Sequence, residues 1–192
     1  MSNKNRYEAI VIGTSAGGLF ALSAILEKLP ADYSVPVLIV QHRAKDQKDL
    51  LEELLQSKCK IKIKQADEKE QIQPGIVYIA PPDYHLLVER DQTLSLSSDK
   101  PVRYSRPSID VLFDSAADAF QDKLLAIILT GANNDGTAGI EKVKKHGGTT
   151  IAQNPADAHF PSMPRASIAT GKIDEILTLA GIQNFLLKVG QQ

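Results

Sequence analysis

Apolar residues along this chain fall into two recurring patterns, short continuous runs and longer stretches with helical spacing. Residues 9–12 form a continuous apolar run with β-branched side chains, which is typical of a strand buried on both faces. Leucine or isoleucine then recurs every three or four positions until Pro30, which ends the predicted helix. The apolar positions of that helix are Leu19, Leu22, Ile25, Leu26 and Leu29.

The same alternation of strand and helix patterns continues along the rest of the chain. The patterns predict strands at residues 35–41, 59–65, 75–82, 123–131 and 149–153, helices at 47–57, 106–120, 135–148 and within 177–190, and a hairpin at 84–98. The hairpin is expected to turn at Asp91 and Gln92, or through a longer loop or bulge, because these residues suit a tight turn poorly. Strands that alternate with helices imply right-handed crossovers. The predicted fold class is α/β, a three-layer α/β/α doubly wound and mostly parallel sheet with an antiparallel hairpin.

Helical spacing also predicts which side chains of the later helices are buried. The expected core residues are Leu50, Leu51, Leu54 and Leu55 in the helix at 47–57, Ile109, Leu112, Phe113, Ala116, Ala117 and Phe120 in the helix at 106–120, and Ile182, Phe185, Leu186 and Val189 in the last helix.

Length and composition restrict the class of protein. The chain has 192 residues, enough for one sizeable domain over 1–192 with a short polar segment at residues 1–7. Its 22 basic and 23 acidic residues leave a formal net charge of −1, so bulk attraction to nucleic acid or to a membrane is not expected. No signal-peptide pattern or membrane-spanning run occurs, which favours a cytoplasmic protein. The single cysteine, Cys59, excludes an internal disulfide and is expected to be a core thiol.

Ser15 lies in the turn between the first strand and the first helix, where three interpretations compete. It could cap the helix, because serine is among the preferred N-cap residues. A nucleotide-binding turn is disfavoured, since Ser15 occupies the middle glycine of G-x-G-x-x-G and no G-K-[ST] follows. It could be a nucleophile, because residues 13–17 read G-x-S-x-G, the serine elbow of strand-to-helix turns. That short pattern needs a base and a carboxylate nearby.

Two further candidates follow other predicted strands. His42 comes directly after the second strand, and Asp135 follows the most apolar strand. Ligands of parallel sheets bind at the carboxyl ends of the strands, so Ser15, His42 and Asp135 are candidates for a Ser-His-Asp triad. His85 is the alternative base, and Asp135 could instead cap the helix that follows it. The remaining histidines have ordinary positions, His146 at a helix C-terminus and His159 in a proline-rich loop. No spacing typical of a metal site occurs.

Six ordered blocks of the sequence resemble those of the catalytic domain of chemotaxis protein-glutamate methylesterases, the CheB-type family. They read VIGTSAGG, VQHR, GIVYIAPPDYHLLV, RPSIDVLF, LTGANNDGTAGI and IAQNPADAHFPSMPRASI, and they extend from about residue 8 to the end. The resemblance implies a doubly wound sheet with an antiparallel hairpin. It also implies hydrolysis of γ-glutamyl methyl esters on cytoplasmic helices of chemoreceptors, with release of methanol, and deamidation of receptor glutamines in many members.

The resemblance assigns the nucleophile, base and carboxylate to Ser15, His42 and Asp135, which the strand-end rule also selects. It implies no cofactor and no metal. The expected oxyanion and site-lining residues are Ala16, Gly17 and Ala132. Ala16 stands where the best-known members have threonine, and Ala132-Asn133 where they have methionine-glycine. A catalytically weak signalling module that binds receptor or partner helices therefore stays open as the alternative, and a nucleotide-binding regulatory domain as a third.

The implied partners are methyl-accepting chemoreceptors or similar methylated signalling proteins, without nucleic acid or membrane insertion. Family members usually carry a phosphorylatable receiver domain before the catalytic domain, whereas only seven residues precede the first block here. A separate receiver-domain protein is therefore a further expected partner. Receptor methylation regions are helical and rich in glutamate, so the docking surface is expected to be basic. Its candidates are Arg43, Arg103, Arg106 and Arg165.

Overall fold

The computed structural model describes residues 6–43 and 50–191, and its centre is a sheet of seven parallel strands. The sheet contains β1 (Ala9–Thr14), β2 (Val37–Gln41), β3 (Lys62–Gln65), β4 (Ile76–Ile79), β7 (Leu124–Ile128), β8 (Thr149–Gln153) and β9 (Glu175–Leu177). Their order across the sheet is β3-β4-β2-β1-β7-β8-β9. Strands β5 (His85–Val88) and β6 (Leu94–Ser97) pair antiparallel as a separate hairpin.

Helices cover both faces of the sheet. One face carries α1 (Gly18–Leu26), α2 (Leu51–Gln56) and α6 (Leu179–Val189), and the other carries α3 (Ile109–Phe120), α4 (Thr137–Lys145), α5 (Ser162–Ala169) and the hairpin. Ile10 and Ile12 of β1 pack in the first apolar cluster and Val11 packs in the second. This division follows from the alternation of side chains along a strand. The predicted three-layer α/β/α architecture with an antiparallel hairpin is confirmed.

Two leucines that helical spacing assigned to the core are exposed. Leu50 is 48% exposed and Leu54 46%, so these two predictions were wrong. Leu19, an apolar position of the first helix, is 41% exposed as well. Leucines lie on both sides of the short helix α2, and only Leu51 and Leu55 meet the sheet. Residues 47–49 of the predicted helix, and residues 1–5 of the polar N-terminal segment, lie outside the described residues.

Short elements account for the other differences from the predicted pattern. The predictions missed α5, whose proline at position 164 suggests a loop, and the three-residue strand β9. The strand predicted from residue 59 begins at Lys62. In the hairpin, the Gln92 N–H donates to the Glu89 carbonyl at 2.9 Å, and Gln92 has a φ of 62°. A longer connection with a left-handed residue therefore replaces a two-residue turn.

Cys59 packs in the apolar cluster under α1 and α2, as predicted for a core thiol. Burial raises the pKa of the Cys59 thiol, and the negative charge of Glu27 raises it further. Among the described residues, no helix combines the length and the apolar character needed to cross a membrane.

The carboxyl end of β1 lies where successive connections leave the sheet on opposite faces. The connection after β1 enters α1 on one face, whereas the connection after the adjacent β7 enters α4 on the other face. Such a switch point opens a crevice, in which open α/β sheets bind their ligands. The turn at residues 14–18 and the loop at 130–136 meet there.

Candidate active site

Ser15 and His42 are neighbours because their strands are in register. Thr14 pairs with Gln41 at the ends of β1 and β2, and Ser15 and His42 follow them directly. The His42 N–H donates to the Thr14 carbonyl at 3.1 Å, which extends the parallel ladder by one residue. Both residues are half-buried and line the same cleft. They leave the sheet side by side at its carboxyl edge.

The turn that carries Ser15 is tied to the end of β7 through Thr130. The Ser15 N–H and the Thr14 hydroxyl both donate to the Thr130 carbonyl, at 3.0 and 2.9 Å. The Thr130 hydroxyl donates in turn to the Ala16 carbonyl at 3.0 Å. Because these bonds hold the backbone on both sides of Ser15, its side chain projects from a rigid support.

Ser15 does not cap the helix that follows it. The N-cap of α1 is Gly17, whose φ of 80° lies in the left-handed region that favours glycine. No side chain accepts a hydrogen bond at this cap, so the interpretation of Ser15 as the start of the helix was wrong. Within residues 6–43 and 50–191 the Ser15 hydroxyl has no hydrogen-bond partner. Its oxygen is therefore unengaged at the edge of the cleft.

Gln41 holds the backbones of Ser15 and His42 together. Its buried side chain donates through Nε2 to the Ser15 carbonyl at 2.8 Å and to the His42 carbonyl at 3.0 Å. A Cβ at Gly18 would overlap the Gln41 side chain, so only glycine fits at that helical position. One amide group thus fixes the relative position of the two backbone segments that carry the candidate nucleophile and base.

Asp135 is fully buried, and each of its carboxylate oxygens accepts two hydrogen bonds. Oδ2 accepts from Nε2 of His42 at 2.8 Å and from the Ile109 N–H at 2.7 Å. Oδ1 accepts from the Ser108 hydroxyl at 3.0 Å and from the Asp110 N–H at 3.1 Å. Ile109 and Asp110 begin α3, where N–H groups lack intrahelical partners. The carboxylate therefore caps α3 and contacts the imidazole at once.

The interpretation of Asp135 as the N-cap of the helix that follows it in sequence was wrong. That N-cap is Gly136, with a φ of 98° and no side-chain hydrogen bond. The left-handed conformation of Gly136 turns the chain between Asp135 and α4, so the carboxylate points across to α3 instead.

The surroundings of Asp135 favour its ionised form. Burial raises its pKa, but the hydrogen bonds from His42, Ile109 and Asp110 outweigh burial and lower the pKa of Asp135 below its ordinary value. The shift of the neighbouring carboxyl is opposite, because burial and the Asp135 charge raise the pKa of Asp110. An ionised carboxylate can only accept hydrogen bonds, so Nε2 of His42 carries its ring proton. The proton-accepting nitrogen of the neutral ring is therefore Nδ1.

Of the three candidate side chains, two are joined by a direct contact. His42 and Asp135 share the bond described above, whereas no hydrogen bond joins the described side chains of Ser15 and His42. Nδ1 of His42 lies instead 3.2 Å from Nδ2 of Asn133. The structure thus brings all three candidates to one edge of the sheet. There the Asn133 side chain, rather than Ser15, contacts the proton-accepting Nδ1 of His42.

Backbone N–H groups without partners occur directly after Ser15 and in the loop that follows β7. The N–H groups of Ala16, Gly17 and Ala132 find no acceptor within the described part of the chain. Ala16 and Gly17 immediately precede α1, whose N-terminus carries the positive end of the helix dipole. These three residues are the ones expected from the sequence to line the site.

The alternative base, His85, is part of the packing beneath the site. It is 2% exposed, and its Nδ1 accepts from the Ser108 N–H at 3.1 Å. Its Nε2 lies 3.2 Å from the Lys100 carbonyl and donates to it. Both ring nitrogens are used to hold residues 100–108, so His85 has no free nitrogen for proton transfer.

The two remaining histidines make no hydrogen bond to Ser15, His42 or Asp135 within the described part of the chain. His146 is the C-cap of α4, as predicted, and its ring contacts Gln121 and Asp118. His159 lies on the loop before α5 and stacks on Phe20, with ring centroids 5.0 Å apart. Phe20 of this stack lines the cleft beside Ser15.

The four candidate docking arginines differ in their surroundings. Arg43 contacts Glu52 at 3.2 Å and the Ala80 carbonyl at 2.6 Å, with its side chain 10% exposed. Arg106 donates to Asp83 and to two backbone carbonyls, with its side chain 16% exposed. Arg103 lies 3.2 Å from Asp110 and is 42% exposed. Arg165 is exposed on α5. Arg43 and Arg106 thus hold the fold together, and Arg103 and Arg165 present charge to solvent.

The cleft beside Ser15 has a volume of about 730 Å³ and lies between α1 and α2. Ser15, Gln41 and His42 form its polar end. The exposed side chains of Leu19, Phe20, Leu50 and Leu54 form an apolar wall, and the basic side chains of Arg43 and Lys58 also line the cleft. The leucines that the helical pattern misplaced in the core are therefore the apolar wall of this cleft.

Metal ligands do not cluster in the part of the chain that the structure describes, since no three His, Cys, Asp or Glu side chains there could hold an ion together. Sequence reasoning missed Gln41, Ser108, Thr130 and Asn133. Gln41 and Thr130 carry a usable signal, because each is a polar residue at the end of a buried apolar run. The contacts of Ser108 with Asp135 and of Asn133 with His42 are remote in sequence, so no local pattern records them. Among the described side-chain bonds of these two residues, only that from the Asp135 N–H to Asn133 is local.

Comparison with known proteins gives consistent results. A sequence model of the CheB methylesterase family matches residues 10–186. A protein of Leptospira interrogans serovar copenhageni, whose name describes it provisionally as a protein-glutamate methylesterase/protein-glutamine glutaminase, is 46% identical over 185 residues, with 96% of each chain covered. The protein-glutamate methylesterase/protein-glutamine glutaminase of Clostridium acetobutylicum is 34% identical over 182 residues, which are 95% of this chain and 53% of that protein.

The fold is also similar to a solved structure, the Thermotoga maritima CheB methylesterase catalytic domain. The TM-score is 0.91 at 34% sequence identity, and the alignment covers 95% of this chain and 98% of that chain.

Proposed function

This chain belongs to the CheB methylesterase family, and we propose that it is a serine hydrolase acting on γ-glutamyl methyl esters of chemoreceptor helices. The observation that carries the proposal is the 2.8 Å hydrogen bond between His42 and the buried, ionised Asp135, beside the unengaged hydroxyl of Ser15. This arrangement supplies a nucleophile, a base with one defined proton-accepting nitrogen, and an anion that stabilises the protonated base.

In the first step, the Ser15 oxygen attacks the ester carbonyl while Nδ1 of His42 takes the hydroxyl proton. Asp135 stabilises the imidazolium through Nε2 without taking its proton. The carbonyl oxygen becomes negative, and the N–H groups of Ala16, Gly17 and Ala132 supply donors for it. Collapse of the tetrahedral intermediate breaks the bond to the methoxy group, which leaves as methanol with the proton from His42.

In the second step, water hydrolyses the acyl-enzyme. His42 takes a proton from the attacking water and returns one to the Ser15 oxygen, which releases the glutamate side chain and restores the site. The same sequence on a glutamine side chain releases ammonia and yields glutamate. A single site therefore supports both activities that the names of the relatives state.

The cleft between α1 and α2 offers a surface for the substrate helix. Its apolar wall, formed by Leu19, Phe20, Leu50 and Leu54, continues directly from Ser15. An amphipathic receptor helix would place its apolar side on this wall and direct a glutamyl ester toward the nucleophile. Arg103 and Arg165 are the exposed basic residues, of the four considered, that could meet acidic residues of the same partner.

The test is methanol release from a methylated receptor fragment by wild type, Ser15→Ala and Ser23→Ala. Ser23 lines the same cleft and its buried hydroxyl also lacks a partner among the described residues, so it is the matched control. Removal of a triad nucleophile costs about 10⁶-fold in kcat, so Ser15→Ala should release no detectable methanol. Ser23→Ala should remain active. Comparable rates for wild type and Ser15→Ala would place the nucleophile elsewhere.

A further inference from the structure

The side chain of Asn133 contacts the proton-accepting nitrogen of His42. The surrounding hydrogen bonds define which atom donates in this contact. The Asp135 N–H donates to Oδ1 of Asn133 at 3.1 Å. A backbone N–H requires an acceptor, so the amide oxygen faces Asp135 and the NH₂ group faces the ring. Nδ2 of Asn133 then lies 3.2 Å from Nδ1 of His42 and donates to it.

The protonation state of the ring agrees with this direction. Nε2 donates to a carboxylate that already accepts from Ile109, Ser108 and Asp110, so its proton is fixed on that side. Nδ1 consequently presents a lone pair, and the Asn133 amide occupies it. The Ser15 hydroxyl, which must deliver its proton to the same lone pair, makes no hydrogen bond within the described residues.

We propose that Asn133 is a positioning residue that holds the base nitrogen of His42 in the resting site and must release it before Ser15 can be deprotonated. The inference rests on the proposed function, because it assigns His42 as the base for Ser15. Asn133 is exposed, whereas Asp135, two residues later, is fully buried. The amide can therefore swing away while the carboxylate stays in place. A substrate bound in the cleft would contact this amide beside Nδ1 of His42.

The free energy needed to release Asn133 from Nδ1 of His42 can be estimated from the geometry of the contact. The contact is a single neutral hydrogen bond at the long end of the normal range, and such bonds contribute modestly because water or substrate replaces them. Loss of this competitor should raise the rate of Ser15 acylation about twofold to tenfold. The contact with Asn133 thus keeps the His42 ring oriented and lowers the rate of acylation by this modest factor.

Two substitutions separate release of the ring from a merely structural role. Asn133→Ala removes both amide contacts. Asn133→Asp keeps an oxygen for the Asp135 N–H but replaces the NH₂ donor with an acceptor that faces Nδ1. A carboxylate there stabilises the protonated ring, so the base should become available only at higher pH.

Other charged groups around His42 are unchanged in both variants. Asp135 faces Nε2. Of the described residues, the charged side chains that line the two cavities bordered by His42, or pair with those side chains, are Arg43, Glu52, Lys58, Arg106 and Asp83. Asp110, with its partner Arg103, lies behind Asp135. A change in pH dependence between the two variants therefore reports position 133.

The experiment measures acylation of the full chain by p-nitrophenyl acetate, followed as the nitrophenol burst across the pH range in which the protein is folded. Asn133→Ala should acylate about twofold to tenfold faster than wild type. Asn133→Asp should be slower near neutrality and recover as the pH rises. If Asn133→Ala unfolds, as thermal unfolding would show, the pH profile of Asn133→Asp decides.

Equal or slower acylation by a folded Asn133→Ala, or an Asn133→Asp profile that matches wild type, would overturn the proposal and leave Asn133 as a turn-forming residue only. Ser15→Ala keeps this outcome separate from failure of the proposed function. If Ser15→Ala shows no burst while the Asn133 variants match wild type, the nucleophile stands and only the role of Asn133 is lost. If Ser15→Ala shows a wild-type burst, both the proposed function and this inference fail.

Discussion

Replacement of Asp135 by asparagine separates the two roles of this carboxylate. Each oxygen accepts two hydrogen bonds, so an amide of the same shape must turn its NH₂ group toward one pair of donors. The Ser108 hydroxyl can rotate to accept from that NH₂ group, whereas the Asp110 N–H beside it cannot. The amide oxygen then faces His42 and Ile109, and Nε2 of His42 keeps its proton.

The expected loss of stability follows from the Asp110 N–H and from the missing charge. A buried N–H without an acceptor costs about 1–3 kcal/mol, and loss of a negative charge at a helix N-terminus costs about 0.3–1 kcal/mol. Relief of the repulsion that raises the pKa of Asp110 offsets part of this loss. The net change is about 2 kcal/mol, which lowers Tm by about 4–8 °C for a chain of 192 residues.

The expected loss of activity follows from the charge alone, because the ring keeps its tautomer. The imidazolium of the transition state loses the attraction of an anion at hydrogen-bond distance. For charge centres about 4 Å apart, at an effective dielectric constant of about 20, that attraction is about 4 kcal/mol. The corresponding decrease in kcat is about 10³-fold.

Thermal unfolding and methanol release measure the two effects on the same preparation. Asp174→Asn is the matched control, because Asp174 also accepts from a backbone N–H, that of Thr150, and its pKa is also lowered. It lies at the opposite edge of the sheet, near the start of β8, so it should lose stability without loss of kcat. Asp135→Asn with wild-type kcat and lowered Tm would reduce Asp135 to a helix cap and refute the reasoning.

Four further outcomes are expected. His42→Gln should abolish methanol release, whereas His85→Gln should lower Tm and keep most of the activity, since both His85 nitrogens hold residues 100–108; the opposite ranking in the same assay would make His85 the base. Gln41→Met keeps the side-chain volume but removes the two hydrogen bonds to the Ser15 and His42 carbonyls. Steady-state kinetics should show a clear decrease in kcat, and thermal unfolding only a small change in Tm. An unchanged kcat would contradict the bridging role. The pKa of Asp135 is lower in the folded than in the unfolded protein, so its stabilisation is present above about pH 4 and lost as the pH falls further. Urea titrations below that pH should show that the free energy of unfolding falls more steeply with pH in wild type than in Asp135→Asn. Parallel slopes would contradict this role of the ionised carboxylate. Arg165→Ala should raise KM for a receptor fragment, more so at low salt, and leave p-nitrophenyl acetate turnover unchanged; equal losses on both substrates would exclude a docking role.

Hydrophobic periodicity was sufficient to predict most of the backbone, because each element buries one consistent face. All six apolar residues expected on the inner side of the helix at 106–120 are buried there. The pattern failed where apolar residues serve the cleft rather than the core. In α2, the spacing of the leucines is equally compatible with burial on either side, and only packing against the sheet distinguishes Leu55 from Leu54.

The edge-of-sheet argument identified three candidate site residues from their positions alone, since strand ends converge in any parallel sheet. It could not identify the groups that orient them. Thr14 and Thr130 are 116 positions apart and Asn133 is 91 positions from His42, so no local pattern records their contact. The sequence also could not predict which helix Asp135 caps. The left-handed turn at Gly136 directs the carboxylate to α3, an element earlier in the sequence.

The site therefore has a rigid half and an adjustable half. A buried carboxylate without partners costs several kcal/mol, and the N-terminal N–H groups of α3 remove most of that cost for Asp135. The lowered pKa of Asp135 shows that this compensation exceeds the burial, so the anion and the proton on Nε2 of His42 persist without substrate. Ser15 and Asn133 are different, because the hydroxyl has no partner among the described residues and the amide is exposed. Folding thus prepares the His42–Asp135 pair in advance, and in the proposed mechanism the step left for substrate is the exchange of Asn133 for Ser15 at Nδ1.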